Sequence, residues 1–143
     1  MGADVLTIPG PTSGPALPER SLAELEREIV SGAVRLAAGT AAWLAGIAEF
    51  DRREGWAGVG IRSCAQWLAW QCGLAPGAAR EHVRVARALA GLPLTATAFA
   101  AGRLSWSKVR ALTRVADAGT EVELVELAGH LTAAQLELSL IHI

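Results

Sequence analysis

The chain has 143 residues, of which 52% are hydrophobic and 19% charged, so it is long and apolar enough for one domain with a real core and too apolar for a disordered protein. Its formal net charge of -1 does not indicate an oppositely charged partner. The charge is unevenly distributed, however. Residues 55–115 carry eight basic side chains and a single acid, Glu81, between two acidic segments. This asymmetry favours an anionic partner for the basic middle.

The N-terminal part of the chain reads as a leader followed by one long helix. Residues 1–20 are rich in proline and glycine and show no apolar period, so we expect a flexible leader. Ser21 and Glu24 have the spacing of a capping box, which predicts the start of a helix. Apolar residues then recur every seven positions from Leu22 to Phe50, with no intervening proline, which predicts one long helix.

Glycines in the predicted long helix repeat at the same spacing. Gly32, Gly39 and Gly46 each lie three positions after an apolar member of the repeat. A glycine in a helix interior costs about 1 kcal/mol relative to alanine, so something must offset three of them. We interpret them as a helix-packing seam that allows close approach of another backbone. A neighbouring helix of the same chain is favoured, and a second copy of the chain, in a homodimer, is the alternative.

Several shorter helices follow. Ser63 caps a helix that ends at Cys72, Gly73 terminates it, and Pro76 begins the next helix, which runs to about Ala90. This pair has the pattern of a helix-turn-helix. Further helices are predicted over residues 95–101, 105–117 and 121–129, and after a second capping box at 132–135. No segment alternates at period two, so we predict an all-α fold, a long N-terminal helix packed on several shorter ones, including helix-turn-helix-like pairs.

Two rows of arginines on the predicted helices form the candidate DNA-binding surface. Arg80, Arg84 and Arg87 fall within about 60° of one another around their helix, and Arg110 and Arg114 lie one turn apart on a later helix. Side chains in such rows contact the phosphates of double-stranded DNA. The alternative is a solvated face whose arginines pair with acids from the ends of the chain.

No pattern in the sequence indicates catalysis or a metal. Asp51 and Glu54 stand in a charged run and are interpreted as a solvated face rather than an acid–base pair. Cys64, Cys72 and His82 do not have zinc-ligand spacing, and phosphate-loop and nucleophile-elbow motifs are missing from the sequence. We expect no cofactor, no metal, no small-molecule substrate and no enzymatic activity. The tryptophans of the predicted helices are expected to pack inside the fold: Trp43, Trp67, Trp70 and Trp106.

The cysteines and the hydropathy pattern favour a cytoplasmic protein. Cys64 and Cys72 are eight residues apart in one predicted helix, about 12 Å, which is too far for a disulfide. Free thiols are typical of the cytoplasm. We find no charge-free run of about 20 apolar residues and no signal-peptide pattern, so we expect neither membrane insertion nor export.

Several sequence blocks in a fixed order carry a family resemblance. They are residues 48–56, 62–68, 73–80, 83–89, 92–93, 100–105 and 131–137. With these blocks, residues 22–137 resemble the family called domain of unknown function 222. Its members are typical of high-GC bacteria and often precede an HNH endonuclease domain. The resemblance implies an accessory region of an HNH endonuclease-like protein and transfers no catalytic residue.

The chain departs from a full HNH protein after residue 137. It contains no Asn, only three His and no cysteine pair, so we expect it to be truncated before the nuclease domain. Residues 138–143 differ from the Ala-rich and Arg-rich sequence before them. They match the translation of a transposon adapter common in sequencing libraries, so we interpret them as a non-native tail. The domain itself is therefore placed at residues 21–137. Its predicted function is to assist DNA binding, and the alternative is a helical self-association or protein-interaction module.

Overall fold

The fold is all-α, as the sequence predicts. The computed structural model describes residues 14–141. Within this range it contains a short 3-10 turn at Leu17–Glu19, seven α-helices and no β-strand. The helices are α1 (Leu22–Arg52), α2 (Cys64–Cys72), α3 (Pro76–Ala90), α4 (Pro93–Ala100), α5 (Trp106–Leu112), α6 (Glu121–His130) and α7 (Ala133–Leu140).

The described residues divide into two units, one up to residue 31 and one from residue 32. In the first, the predicted capping box is present: Glu24 N–H donates to Ser21 Oγ, and Ser21 N–H donates to a Glu24 carboxylate oxygen. Arg20 forms an ion pair with Glu28. Most of the predicted flexible leader, residues 1–13, lies outside the described residues, and its last part contains the 3-10 turn.

Helices α2 and α3 pack against each other, and their ends are those predicted. Ser63 Oγ accepts a hydrogen bond from Gln66 N–H at 3.1 Å and caps α2. Gly73 ends α2 in the left-handed conformation, with φ of 68°, which a residue with a Cβ adopts only at a cost. Pro76 occupies the first turn of α3, where a missing N–H costs nothing.

The later helices differ from prediction mainly at the end of α5, which stops at Leu112 rather than near residue 117. The hydroxyl of Thr113 donates to the carbonyl of Val109, and a series of turns replaces the helix. The carboxylate of Asp117 then accepts hydrogen bonds from the N–H groups of Gly119 and Thr120, which fixes the turn before α6. The predicted Thr132 capping box is present in full at the start of α7.

A buried carboxylate connects α6 to α4. Glu121, at the start of α6, is buried, and its Oε1 accepts a hydrogen bond from the backbone N–H of Thr95 at 2.6 Å. Thr95 lies in the first turn of α4, whose own capping position, Leu92, supplies no side-chain acceptor. A helix N-terminus has unpaired N–H groups and favours negative charge, so Glu121 acts as a cap from a distant part of the chain.

The core lies among α2 to α7 and the second half of α1. Its largest fully buried side chains are Phe99, Leu44, Leu68, Leu104, Leu112 and Leu136. Helix α7 extends into the segment interpreted as a non-native tail, and Leu140 of that segment is itself part of the core. Of that tail, residues 142 and 143 lie outside the described part of the chain.

Helix α1 uses a different face for the core than the seven-residue repeat indicates. The buried residues of α1 are Ala37, Leu44 and Ile47, none of which belongs to the repeat. Leu36, which does belong to it, is 74% exposed. Helix α1 is also long and apolar enough to cross a membrane, by length and composition alone. An 18-residue window of the helix has a mean hydropathy of 1.3, and 17% of that window is buried.

Candidate functional site

Three of the five predicted DNA-binding arginines converge on one acid, Glu81. Glu81 and Arg84 lie one turn apart on α3, Arg110 lies on α5, and Arg114 lies in the turn that follows it. We call these four residues the Glu81 cluster. Arg84 and Arg110 are half-buried, whereas Arg114 is exposed. The cluster therefore connects α3 to α5 at the protein surface.

The carboxylate of Glu81 accepts hydrogen bonds from all three guanidinium groups. Arg84 binds it with two nitrogens, Nη2 to Oε1 at 2.7 Å and Nε to Oε2 at 3.1 Å. Oε1 also accepts from Arg110 Nε at 3.2 Å and from Arg114 Nη2 at 3.4 Å. The sequence identifies Glu81 as the lone acid of the basic middle, but its central position was not predicted.

The Glu81 cluster keeps an excess of positive charge. The hydrogen bonds from Arg84 and Arg110 outweigh partial burial and lower the pKa of Glu81 to about 2. The carboxylate is therefore ionised at neutral pH and cancels one of three guanidinium charges. Within the described residues no second acid pairs with Arg84, Arg110 or Arg114. A surface with two uncompensated cations attracts anions.

Arg87 belongs to a separate ion pair with Asp51 of α1. Its Nε donates to Asp51 Oδ2 at 2.6 Å and its Nη2 to Oδ1 at 3.1 Å. Trp56, in the turn after α1, donates its indole N–H to Asp51 Oδ1. The interpretation of Asp51 as part of a solvated face is wrong, because its side chain is 11% exposed and bound on two sides.

The environment of Asp51 shifts the pKa values of its neighbours. The hydrogen bond from Arg87 lowers the pKa of Asp51 despite partial burial. Burial, with the negative charge of Asp51, raises the pKa of the nearby Cys64 thiol. Cys64 is therefore a protonated, buried thiol, and it and the exposed Cys72 are both free, as predicted.

Arg80 is the one arginine of the predicted α3 row that has no partner among the described residues. It is exposed near the start of α3, and its Nη2 lies 3.8 Å from the position that a Cβ would occupy on Gly77. The α3 row is thus divided in three: Arg84 belongs to the Glu81 cluster, Arg87 binds Asp51, and Arg80 is left for solvent or an external partner. The alternative interpretation, pairing with acids from the ends of the chain, describes Arg87, whereas Arg84 pairs with the acid of the basic middle itself.

Aromatic rings pack beside the Glu81 cluster. The imidazole of His82 stacks on Trp106 with centroids 4.5 Å apart and tilts against Trp43 at 5.2 Å. The guanidinium carbon of Arg110 lies 6.0 Å from the Trp106 ring centroid, a cation–π distance. Trp67 and Trp106 are half-buried and pack against neighbouring rings, as predicted, whereas Trp43 contacts His82 but is 39% exposed. The packing prediction is wrong for Trp70, which is 67% exposed.

The glycine seam of α1 is largely uncovered. Gly39 and Gly46 are exposed, and no atom of the described chain lies within 4 Å of the position that a Cβ would occupy on either. Gly32 has only the Arg35 guanidinium near that position. The favoured interpretation, a neighbouring helix of the same chain, is therefore wrong for Gly39 and Gly46. The homodimer alternative stays a prediction.

The described residues contain no group of three His, Cys, Asp or Glu side chains placed to hold a metal ion. A groove of about 970 Å³ lies between α1, α3 and α4. Its walls are mostly alanine side chains, with the Asp51–Arg87 pair among its few polar groups. The absence of a metal, a cofactor and a small-molecule substrate stays a prediction.

Comparisons with known proteins give one family. The chain matches neither a curated protein nor a solved structure. A family model described as domain of unknown function (DUF222) matches residues 22–140, which includes the whole helical region and the first three residues of the 138–143 tail. The match covers α1, the α2–α3 pair and the Glu81 cluster. The chain therefore belongs to the domain of unknown function 222 family.

Proposed function

We propose that this chain is a non-catalytic accessory domain that assists the binding of double-stranded DNA. The observation that carries the proposal is the Glu81 cluster, where three half-exposed guanidinium groups share one carboxylate. Arg80 adds a further exposed cation on the same helix, α3. Contacts of this kind with phosphates supply affinity without sequence preference and depend strongly on salt.

A salt titration with a short DNA duplex tests this proposal. Fluorescence anisotropy should show binding at low ionic strength that weakens linearly on a log–log plot as salt rises. Arg80→Ala and Arg114→Ala should each flatten the slope by about one phosphate's worth. Arg53→Ala is the matched control, since it removes one exposed arginine from outside the basic middle. Absent or salt-independent binding by the unaltered protein would remove the proposal.

We further propose that the domain precedes an HNH nuclease domain in a longer cytoplasmic protein. This rests on the family resemblance and on the absence of Asn and of cysteine pairs from the sequence. Sequencing the source DNA through the codon for Glu137 tests it. A frame that continues into a domain with His, Asn and cysteine pairs supports it, and a native stop codon near residue 143 contradicts both this link and the adapter origin of the tail.

Self-association is the second candidate function, and the open face of α1 favours it. Leu36 and Trp43 are exposed beside Gly39 and Gly46, which leave room for a second backbone. Sedimentation should then show a dimer that Gly39→Leu disrupts, because a bulky side chain prevents close approach. A monomer at all concentrations, unaffected by that change, would exclude this function.

A further inference from the structure

Two of the three arginines in the Glu81 cluster keep most of their hydrogen-bond donors for an external acceptor. Arg84 uses Nε and Nη2 for Glu81, and its Nη2 also lies near the carbonyl of Arg110 and the hydroxyl of Thr113. Arg110 uses only Nε for Glu81, and Arg114 uses only Nη2. A guanidinium has five N–H donors, so Arg110 and Arg114 retain several that no acceptor in the described chain binds.

Exposure within the cluster increases away from the carboxylate. The side chain of Glu81 is 19% exposed, that of Arg84 35%, that of Arg110 43% and that of Arg114 53%. An anion that approaches from solvent therefore meets Arg110 and Arg114 before it meets Glu81. Because Glu81 Oε1 binds both of these arginines, their guanidinium groups are held as neighbours.

We propose that Arg110 and Arg114 form a clamp for a single phosphate group, and that Glu81 is the positioning residue that holds the clamp together. The phosphate oxygens would accept the N–H donors that Glu81 leaves unused, in charge-assisted hydrogen bonds. Arginines that are already fixed lose less side-chain freedom when they bind. The identity of the phosphate as one of the DNA backbone rests on the proposed function; the clamp itself does not.

Glu81 has two opposing effects on such a ligand, and their signs make the proposal testable. Its negative charge repels phosphate, so loss of that charge alone strengthens binding. Its charge-assisted hydrogen bonds keep Arg110 and Arg114 side by side. A glutamine keeps one weaker, neutral acceptor and brings an NH2 donor towards the guanidinium groups, so it holds the two arginines less firmly and weakens binding. The position of Glu81 behind the two arginines favours the second effect, and Glu81→Gln should therefore weaken phosphate binding although it makes the protein more positive.

The experiment is a titration of the whole chain with inorganic phosphate at constant ionic strength, followed by the ¹⁵N resonances of the arginine side-chain Nε–H groups. The signals of Arg110 and Arg114 should shift together and saturate. Glu81→Gln should raise the dissociation constant at least about threefold. Glu126→Gln removes the same charge from an exposed residue of α6 and should leave it unchanged. Arg114→Ala, which leaves the Glu81 bonds to Arg84 and Arg110, should weaken binding at least as much as Glu81→Gln.

Different failures separate the clamp from the proposed function. Unmoved Arg110 and Arg114 signals, or tighter binding by Glu81→Gln, would overturn the clamp even if the DNA duplex binds. If phosphate behaves as expected but the duplex does not bind at low salt, the clamp stands and its ligand is a phosphate-bearing molecule other than DNA.

Discussion

Glu81 shows how one side chain determines what a cluster of arginines can do. From the sequence, only Arg84, one helical turn away, is a visible partner of Glu81. Arg110 and Arg114 lie 29 and 33 residues further along the chain and reach the same carboxylate only through the packing of α3 and α5. Three guanidinium groups without this acid would repel one another, so Glu81 stabilises the fold as well as arranging the cations.

We predict that the contribution of Glu81 to stability is lost at acid pH. The pKa of Glu81 is lowered to about 2, so its contribution is present above the ordinary glutamate value and declines as pH falls from about 5 towards 2. After allowance for solvent screening, Glu81→Gln should lower the free energy of unfolding by about 1–2 kcal/mol near neutral pH, and by much less near pH 3. Urea denaturation at both pH values measures this difference.

Glu126→Gln again provides the control for that measurement, since Glu126 is an exposed glutamate of α6 outside the Glu81 cluster. A penalty for Glu81→Gln that stays constant between the two pH values would contradict the prediction. It would show that the packing of the side chain, rather than its charge, supplies the stability.

Helix α1 carries two different faces. Its core face contains Ala37, Leu44 and Ile47, whereas the seven-residue repeat, with Leu36 and the glycines, lies mostly in solvent. A helix glycine without close neighbours makes a protein less stable than an alanine would, because glycine gains more backbone entropy on unfolding. An added methyl group at the exposed glycines of α1 should therefore stabilise the helix.

We predict that Gly39→Ala stabilises the protein. No described atom lies within 4 Å of the site of the new Cβ, so the change should raise the free energy of unfolding by about 0.5–1 kcal/mol through helix propensity. Thermal denaturation at low protein concentration measures it. A destabilised Gly39→Ala protein would indicate that another surface already occupies the seam.

The opposite result is expected where α1 meets the turn after α4. Gly102 has φ of 76°, and a Cβ there would collide with Cγ1 of Val34 and lie 3.1 Å from the carbonyl oxygen of Val34. Gly102→Ala should therefore lower the free energy of unfolding by about 2–4 kcal/mol, from left-handed backbone strain and overlap together. Chemical denaturation alongside Gly39→Ala provides the comparison, and equal effects of the two changes would contradict it.

The elements that the sequence predicted correctly are those with local signals. Four helix ends are fixed by local effects, and all four residues act as predicted. Ser63 and Thr132 cap a helix by a side-chain hydrogen bond, Gly73 ends one in the left-handed conformation, and Pro76 begins one. The end of α5 was missed because no local breaker marks it. The glycine repeat of α1 is visible in the sequence. Periodicity, however, gives no information on which side of a helix the rest of the chain lies.

The candidate site was only partly predictable for the same reason. Four of the five arginines are found on α3 and α5, as expected, and Arg114 lies in the turn after α5. Their division among Glu81, Asp51 and solvent depends on contacts between distant segments. Asp51 illustrates the limit. In the sequence it is one charge of a run at a helix end, whereas in the fold it is a nearly buried partner of Arg87.

For the molecule as a whole, these contacts bring the acidic and basic segments together. Asp51 comes from the acidic N-terminal segment and Arg87 from the basic middle, 36 residues apart. Every such pair reduces the charge that remains for an external anion. The DNA-binding surface should therefore be smaller than the five arginines imply. Arg80 is exposed, and Arg110 and Arg114 retain hydrogen-bond donors that the described chain does not use. Arg87 is mainly structural.

We predict that Arg87→Ala affects folding more than DNA binding. It leaves the nearly buried Asp51 carboxylate with only the indole N–H of Trp56 and the weak thiol donor of Cys64, so the free energy of unfolding should fall by about 1–2 kcal/mol. The salt slope for duplex binding should flatten by clearly less than the one phosphate's worth expected for Arg114→Ala, because Asp51 already binds two nitrogens of Arg87. Denaturation and anisotropy on the same preparations measure both. If both variants change the salt slope equally and Arg87→Ala leaves the stability unchanged, then Arg87 leaves Asp51 to bind DNA. The whole α3 row would then bind phosphate.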